Sequence, residues 1–240
     1  MVKYIVMMLV WMVCINSLLA TRTSLSYGAK LGPGLSMHYG TKSDGMDYKV
    51  SSSYRLGMVA GGFLDLNISD NLALGYEVLY AQKGSDQEIT INKIVIEDVE
   101  EELAKPAVMN VSYYVDYIEI PVLLKVKVLN TPSFGMNAIT GTAMALKVKG
   151  KHNLDGIVYF PDGDSFTELS IKDSSNLSDV NMFDFSFVYG GNVEYKRKNT
   201  YYLEYRFTLG WDYLSLPTYT LMPPVELRNQ SYSLLLGMKF

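Results

Sequence analysis

Few residues of this sequence have side chains suited to catalysis or metal binding. The 240-residue chain holds two histidines and one cysteine. Ser36 and His38 lie two residues apart on one face of a strand, where a hydroxyl and a neighbouring base could attack an ester or a peptide. Because this spacing is common in strands, we interpret it as coincidental. His152 falls in a long polar segment, and the sequence predicts no catalytic residue.

Metal and cofactor motifs are equally sparse. The run Asp162-Gly163-Asp164 could offer oxygen ligands to Ca²⁺, but it lacks the spaced acidic ladder of a calcium loop and is typical of a polar turn. The chain has no Gly-rich phosphate loop, no Cys pair and no His-Glu metal motif. We therefore expect no cofactor and no metal. A net charge of −4 argues against a nucleic-acid partner, which needs a basic face.

The first twenty residues have the pattern of a secretory signal peptide. Lys3 supplies a positive start, an apolar run follows from Tyr4 to Val13, and Ala20 offers a small residue for cleavage. A membrane anchor is the alternative, but the run is short for a spanning helix. We predict a cleavable signal peptide over residues 1–20 and one β-barrel domain over residues 21–240. The single cysteine, Cys14, would leave with the signal.

Eight segments of the remaining chain alternate apolar and polar residues with a period of two, as strands with two unlike faces do. The clearest runs from Tyr201 to Tyr213. The eight segments are residues 25–39, 54–67, 72–80, 118–128, 134–148, 183–195, 201–213 and 230–240. Most match or exceed the 9–11 residues that a tilted strand needs to cross a bilayer. Soluble strands have about 5–6 residues, so length favours a membrane barrel.

The connections between these segments alternate strictly in length. Short links fall near residues 68–70, 130–132 and 197–199, and long links cover residues 40–53, 84–111, 149–181 and 214–229. Bacterial outer-membrane barrels have short periplasmic turns and long extracellular loops. We therefore predict an all-β fold, an eight-stranded antiparallel transmembrane β-barrel with four long extracellular loops.

The strand faces indicate which side meets lipid. A charged residue facing lipid costs about 2–4 kcal/mol near the bilayer midplane, so the aromatic faces should point outward. The polar faces then carry seven positive and seven negative residues inward, which predicts a packed, salt-bridged interior without an open pore. This predicted interior charge network comprises Lys30, Arg55, Asp65, Glu77, Glu119, Lys125, Lys127, Lys147, Asp184, Glu194, Glu204, Arg206, Asp212 and Lys239.

Three local features complete the prediction. Apolar or aromatic residues recur at every second position of the last strand, at Tyr232, Leu234, Leu236, Met238 and Phe240, a pattern that resembles the recognition signal of the barrel assembly machinery. Residues 84–111 could form an extended hairpin, or a short helix over residues 97–104. That segment is interpreted as a solvated cap, with a partner surface as the alternative. Pro121 lacks an N–H and predicts a bulge or bend.

Four stretches resemble a known family. They are residues 27–32 (YGAKLG) with Gly62-Phe63, residues 74–84 (LGYEVLYAQKG) and residues 117–125 (YIEIPVLLK). The chain is similar to the outer-membrane β-barrel family common in Bacteroidota, often called PorT-like. The resemblance implies the barrel fold and a location in the cell outer membrane. Named relatives take part in type IX secretion, but the motifs resemble barrel architecture and carry no such role with them.

Three functions remain open at this stage. The leading hypothesis is a non-enzymatic outer-membrane barrel with a structural or interaction role through its loops. The second is an accessory of a transport or type IX-like secretion machine. The third is a soluble periplasmic lipocalin-like binder, with charge outside and aromatics inside. The expected partners are outer-membrane lipid, the assembly machinery during biogenesis, and secretion or surface proteins at the loops.

Overall fold

The computed structural model describes residues 24–41, 48–96, 99–162, 165–177, 182–211 and 226–240. The predicted signal peptide lies outside these ranges. Nine strands occupy most of the described chain, and all but the sixth, whose sequence is largely polar, follow segments of alternating or apolar sequence. They are β1 Ser24–Thr41, β2 Tyr48–Ser69, β3 Leu72–Ile96, β4 Val99–Asn130, β5 Phe134–Asp162, β6 Ser165–Asn176, β7 Phe183–Lys196, β8 Thr200–Gly210 and β9 Glu226–Lys239.

Eight of these strands close into a ring. The sheet order is β4-β3-β2-β1-β9-β8-β7-β5-β6, and a further β4–β5 pairing closes it. Every pairing is antiparallel. The first and last strands meet through β1 and β9, from Gly28↔Lys239 to Thr41↔Glu226. The predicted eight-stranded antiparallel barrel is confirmed. The strand β6 stands outside the ring and pairs with the far part of β5.

Two long connections of the predicted barrel are strand, not loop. β3 and β4 continue as a hairpin to Ile96 and from Val99, so the extended-hairpin alternative for residues 84–111 is right and a helix over residues 97–104 is wrong. β5 and β6 form a second hairpin inside the predicted loop 149–181. β4 has 32 residues, about 105 Å along the strand, which is far more than a bilayer requires. We call the part of β2–β6 beyond the barrel the extracellular wall.

Aromatic side chains form a girdle at each end of the ring. At the end with the short turns, Tyr27 packs on Phe240 with ring centroids 5.8 Å apart, and Phe134 packs on Tyr195 at 5.3 Å. At the other end, Tyr232 packs on Tyr54, Tyr205 and Phe207. Eight residues of strand separate Tyr232 from Phe240, about 20 Å of height at a tilt near 40°. Exposed apolar side chains such as Leu234 and Leu236 fill the band between the girdles.

Pro121 lies in a part of β4 without a register shift. The ladder between β3 and β4 keeps one register on either side of it, from Tyr76↔Val122 to Leu79↔Glu119. Pro121 itself lies opposite Ala143 of β5. The predicted bulge at this residue is therefore wrong. The register shifts of β4 against β5 fall elsewhere, at Lys105/Val108, Asp116/Tyr117 and Lys127/Leu129. Among the described residues, no helix is long and apolar enough to span a membrane.

Candidate functional site

Four charged side chains meet at the centre of the barrel interior. Lys30 Nζ of β1 lies 2.8 Å from Glu77 Oε1 of β3 and 3.0 Å from Glu204 Oε2 of β8. Arg206 Nη2, also of β8, lies 2.8 Å from Glu77 Oε2 and bonds Glu204 Oε1 as well. Side chains from three strands thus cross the lumen and alternate in sign. All four are buried, and we call them the central cluster.

The central cluster sits against two aromatic rings. Lys30 Nζ lies 5.3 Å from the ring centroid of Phe63 and 5.6 Å from that of Tyr202. The two rings form an edge-on pair with centroids 5.7 Å apart. A cation over the electron-rich face of a ring is stabilised by the ring quadrupole. The rings therefore hold the Lys30 ammonium in place while the carboxylates neutralise it.

A second group of ion pairs lies closer to the short turns. Lys125 Nζ is 2.7 Å from Asp65 Oδ1 and 3.6 Å from Glu77 Oε1, so it connects this group to the central cluster. Lys239 Nζ lies 3.0 Å from Glu194 Oε1 and 3.5 Å from Asp65 Oδ2. Charged groups removed from water are stable only when they are paired and hydrogen-bonded. The chain of ion pairs satisfies that condition.

A third group lies above the central cluster. Glu119 of β4 pairs with Lys83 of β3, and both are buried. Asn229 Nδ2 donates a 2.6 Å hydrogen bond to Asp184 Oδ2. The sequence analysis missed Lys83, because it ended the third strand at Tyr80. Continuing the alternation of Glu77 and Leu79 by two more positions on the same face would have found it.

The remaining members of the predicted network lie elsewhere. Lys147 Nζ donates to the backbone oxygen of Leu177 at 2.8 Å. Lys127 is half-buried near a short turn, and within the described chain it has no ion pair. The predicted interior position of Arg55 is wrong. Arg55 pairs with Asp86 at 3.0 Å and stacks on the exposed ring of Tyr114, outside the barrel. Asp212 lies outside the described residues.

The displacement of Arg55 has a local cause. The β2–β3 ladder shifts register between Tyr54 and Val59. Ser36 of β1 fills the interrupted stretch, since its Oγ accepts from Gly84 N at 2.8 Å and donates to Gly84 O at 3.0 Å. Ser36 is therefore engaged with backbone, and the structure gives no sign of a nucleophile activated by His38. His38 is itself fully buried, 5.6 Å from the ring of Tyr113.

A second histidine site has a geometry unlike that of a catalytic triad. His152 Nε2 lies 3.1 Å from Asp173 Oδ2 and 3.2 Å from Ser175 Oγ. A triad needs the acid on one ring nitrogen and the nucleophile on the other. Here both contacts fall on the same nitrogen. The hydrogen bond from His152 holds the pKa of the Asp173 carboxyl below its usual range, with a further contribution from Ser175. The arrangement joins β5 to β6.

A small cavity lies between interior side chains above the central cluster. This cavity of about 10 Å³ lies beside Ser36, Lys83, Glu119 and Arg206, which is room for about one water molecule. Apolar side chains occupy other interior positions, including Leu79 with Leu235 and Leu123 with Val188. In the described part of the chain, no group of three or more His, Cys, Asp or Glu residues is arranged to hold a metal. The predicted Asp162-Gly163-Asp164 turn lies outside the residues whose side chains the structure describes.

The extracellular wall has an apolar inner face. Twelve buried residues form one cluster there, and they come from β3, β4, β5 and the residue after β6: Ile89, Ile91, Ala107, Met109, Val111, Tyr113, Val115, Tyr117, Ala145, Leu154, Val158 and Leu177. The polar lumen thus changes into an apolar core above the membrane band. This core supplies the burial that keeps the long hairpins upright.

The orientation of the faces identifies the class of protein. Buried charges line the inside, exposed apolar residues cover the outside, and aromatic girdles mark both edges of the apolar band. A lipocalin-like binder would have the opposite arrangement, so that hypothesis is wrong. These features define an integral outer-membrane β-barrel. Residues 21–214 match the family model described as outer membrane protein beta-barrel domain, and the chain belongs to that family.

Three solved structures are similar to this chain at low sequence identity. The attachment invasion locus protein Ail of Yersinia pestis is 11% identical, with 90% of this chain and 98% of that chain covered and a TM-score of 0.37. Neisserial surface protein A is 10% identical, with 92% and 100% covered and a TM-score of 0.40. The outer membrane protease OmpT from Escherichia coli is 8% identical, with 91% and 96% covered and a TM-score of 0.47. No curated protein matches the chain.

Proposed function

We propose that this protein is a non-enzymatic outer-membrane barrel with a packed, non-conducting interior, which acts through its extracellular wall as a structural or protein-interaction element. The observation that carries the proposal is the central cluster. Four paired charges from three strands cross the lumen, and the cavity beside them holds about one water. A path for ions would require all of these pairs to separate.

Planar-bilayer recording tests the closed interior. We expect the wild-type protein to give no stable single-channel currents. The same sample is run on a denaturing gel before and after heating, because a folded membrane barrel migrates differently from its unfolded form. Stable currents from a sample that shows the folded band would contradict the proposal.

The outer strand β6 is the best-placed surface for a protein partner. It ends the sheet order, and residues 167–170 and 172–176 are exposed. A strand at a sheet edge presents backbone N–H and C=O groups that a partner strand can pair with.

The resemblance to the PorT-like family of Bacteroidota supports a second candidate function. In this role the protein would be an accessory of a secretion machine, and its contacts would lie at the periplasmic turns.

Site-specific cross-linking in native outer membranes separates these alternatives. A photoreactive residue replaces Ser170 on β6, and the matched control replaces Asp70 in a short turn. We expect a discrete adduct from position 170 and none from position 70. Adducts with secretion components from position 70 alone would favour the accessory role. Absence of adducts from both positions would overturn the interaction role.

The proposal includes export by a signal peptide cleaved after Ala20 and assembly through the last strand. The mass of the mature protein tests the first part, since cleavage predicts Thr21 as the first residue. Replacing Phe240 by Ser tests the second. Phe240 packs on Tyr27 at the end of the barrel, so comparison of folded yield in cells with refolding in vitro separates a defect of recognition from a loss of packing.

A further inference from the structure

A cleft opens on the outside of the barrel, at the base of the extracellular wall. It has a volume of about 370 Å³ and is lined by Gln82, Tyr114, Asp116, Lys149, Lys151 and Asn153. These residues belong to the adjacent strands β3, β4 and β5. Their outward direction follows from the pleat, because the alternate residues Val115, Gly150 and His152 are buried inside.

Strand geometry explains why a cleft forms at this point. The β4–β5 register shifts at Asp116/Tyr117, where β5 carries one extra residue. At the same level the neighbouring strand of β5 changes from β7 to β6. The pairing with β7 ends at Leu146↔Phe183, and the pairing with β6 begins at Lys151↔Asn176. A bulge locally increases twist and bends the strand. The outer surface is therefore concave here.

The carboxylates near the cleft already have hydrogen-bond or ion-pair partners. Asp116 accepts a hydrogen bond from the Tyr80 side chain, and Gln82 Nε2 donates to Tyr80 Oη at 3.5 Å. Asp86, at the neighbouring edge, pairs with Arg55 at 3.0 Å. Each acid thus has a partner other than the two cleft lysines.

The cationic groups of the cleft are left without partners. Lys149 and Lys151 are exposed, and the structure records no ion pair or side-chain hydrogen bond for either in the described ranges. Asn153 Oδ1 accepts a hydrogen bond from Ser174 Oγ at 2.9 Å, so its amide nitrogen is available as a donor. The lining of the cleft therefore contains two ammonium groups and one amide N–H group. This is a donor set for an oxyanion.

The floor and the depth of the cleft favour a lipid over a soluble anion. The Tyr114 ring lines the cleft and has the Arg55 guanidinium 3.5 Å from its centroid, so an amphipathic side chain contributes to the floor. Toward the membrane band, β4 exposes Ile120, Leu124 and Val126. The cleft consequently lies where the apolar surface meets the polar wall. At that depth the phosphates of outer-leaflet lipids lie beside the barrel.

We propose that this cleft binds the phosphate-bearing headgroup of an outer-leaflet lipid, with Lys149 and Lys151 as the phosphate ligands and the acyl chains along the apolar strands below. Asn153 donates to the headgroup and Tyr114 packs against its sugar or glycerol. The site would fix the vertical position of the barrel and connect the wall to the lipid surface. It is independent of the proposed protein contact at β6.

Native mass spectrometry of the full-length mature protein in neutral detergent tests this site. The probe is diphosphorylated lipid A, compared with lipid A from which both phosphates have been removed. We expect the phosphorylated probe to remain bound and the double variant K149Q/K151Q to weaken that binding by at least about tenfold, as the loss of two charge-assisted hydrogen bonds implies. The control K49Q/K198Q removes the same charge from exposed lysines elsewhere and should bind normally.

Three outcomes would overturn the proposal. Equal retention of the phosphorylated probe by both double variants would mean that the cleft lysines are not its ligands. Equal retention of the two lipid forms by the wild type would mean that the contact is apolar. Protection of Lys149 and Lys151 from amine labelling by inorganic phosphate alone, as strong as that by lipid A, would mean that the site recognises a free anion. The heated and unheated gel confirms folding of every variant.

Discussion

Lys30 and Glu77 form a 2.8 Å ion pair although their strands are not neighbours. β1 and β3 lie on either side of β2, and the two side chains meet by reaching across its inner face. Two glycines on the inner face of β2, Gly57 and Gly61, keep much of that face free of bulk. A small barrel can hold such pairs because its lumen is just wide enough for side chains to fill it.

Replacing Glu77 by Gln should destabilise the barrel by about 3 kcal/mol or more, because it leaves Lys30 and Arg206 buried with half of their countercharge. Urea-induced unfolding in lipid vesicles measures the change. The control Glu88→Gln alters the same residue type on the same strand at an exposed position, and its effect should stay within about 0.5 kcal/mol. Equal stability of the two variants would mean that the central cluster contributes little to folding.

Lys83 and Glu119 provide a test of pairwise coupling. Lys83→Met and Glu119→Gln each leave one buried group without its partner, so each should destabilise by about 2–4 kcal/mol. The double variant removes both charges and should lose at least about 1.5 kcal/mol less than the sum of the single variants. Additive losses in the same unfolding assay would mean that the two residues do not interact.

Gly61 and Gly62 are neighbours on β2 with opposite tolerance to a side chain. A Cβ at Gly61 would overlap the backbone oxygen of Val78, whereas a Cβ at Gly62 would meet only Gly28 O at 3.6 Å. Gly61→Ala should therefore destabilise by about 1–3 kcal/mol, and Gly62→Ala should fold as the wild type does. Folded yield and unfolding midpoint check both variants. A tolerated Gly61→Ala would mean that β2 and β3 can move apart at this level.

Protonation should weaken the connection between β5 and β6. The hydrogen bond from His152 lowers the pKa of Asp173, so its stabilising contribution is complete above the ordinary carboxyl pKa of about 4 and is lost as pH falls through the lowered pKa. NMR titration of the Asp173 carboxyl should show a higher midpoint in His152→Gln than in the wild type. His38→Gln, which removes the other histidine, should leave the midpoint unchanged. An identical midpoint in all three proteins would exclude His152 as the cause.

The central part of the fold was predictable because period two is a strong signal where one strand face meets lipid and the other meets charge. The segments 183–195 and 201–213 show this, and they correspond to β7 Phe183–Lys196 and β8 Thr200–Gly210. The wall was harder to predict. Its strands carry polar residues on the outside, and β6 Ser165–Asn176 has the composition of a loop. Such a segment becomes a strand only because β5 offers it an open edge.

The candidate site was likewise predictable only in part. Alternation alone places Glu77, Glu119, Glu204 and Arg206 on inward faces, since successive residues of a strand point to opposite sides. It does not say which residues meet across the lumen. The outward position of Arg55 accompanies the register shift between Tyr54 and Val59, where Ser36 of β1 bonds Gly84 of β3. No local pattern contains that information.

The sequence by itself determined that this chain closes into a membrane barrel, because lipid on one side and a narrow lumen on the other impose a two-residue period on every spanning strand. The tertiary structure decided the ion pairs, the height of the wall and the cleft at Lys149 and Lys151. Each of these joins residues from two or more strands. Their meeting is fixed by the registers of several ladders together, which no single strand encodes.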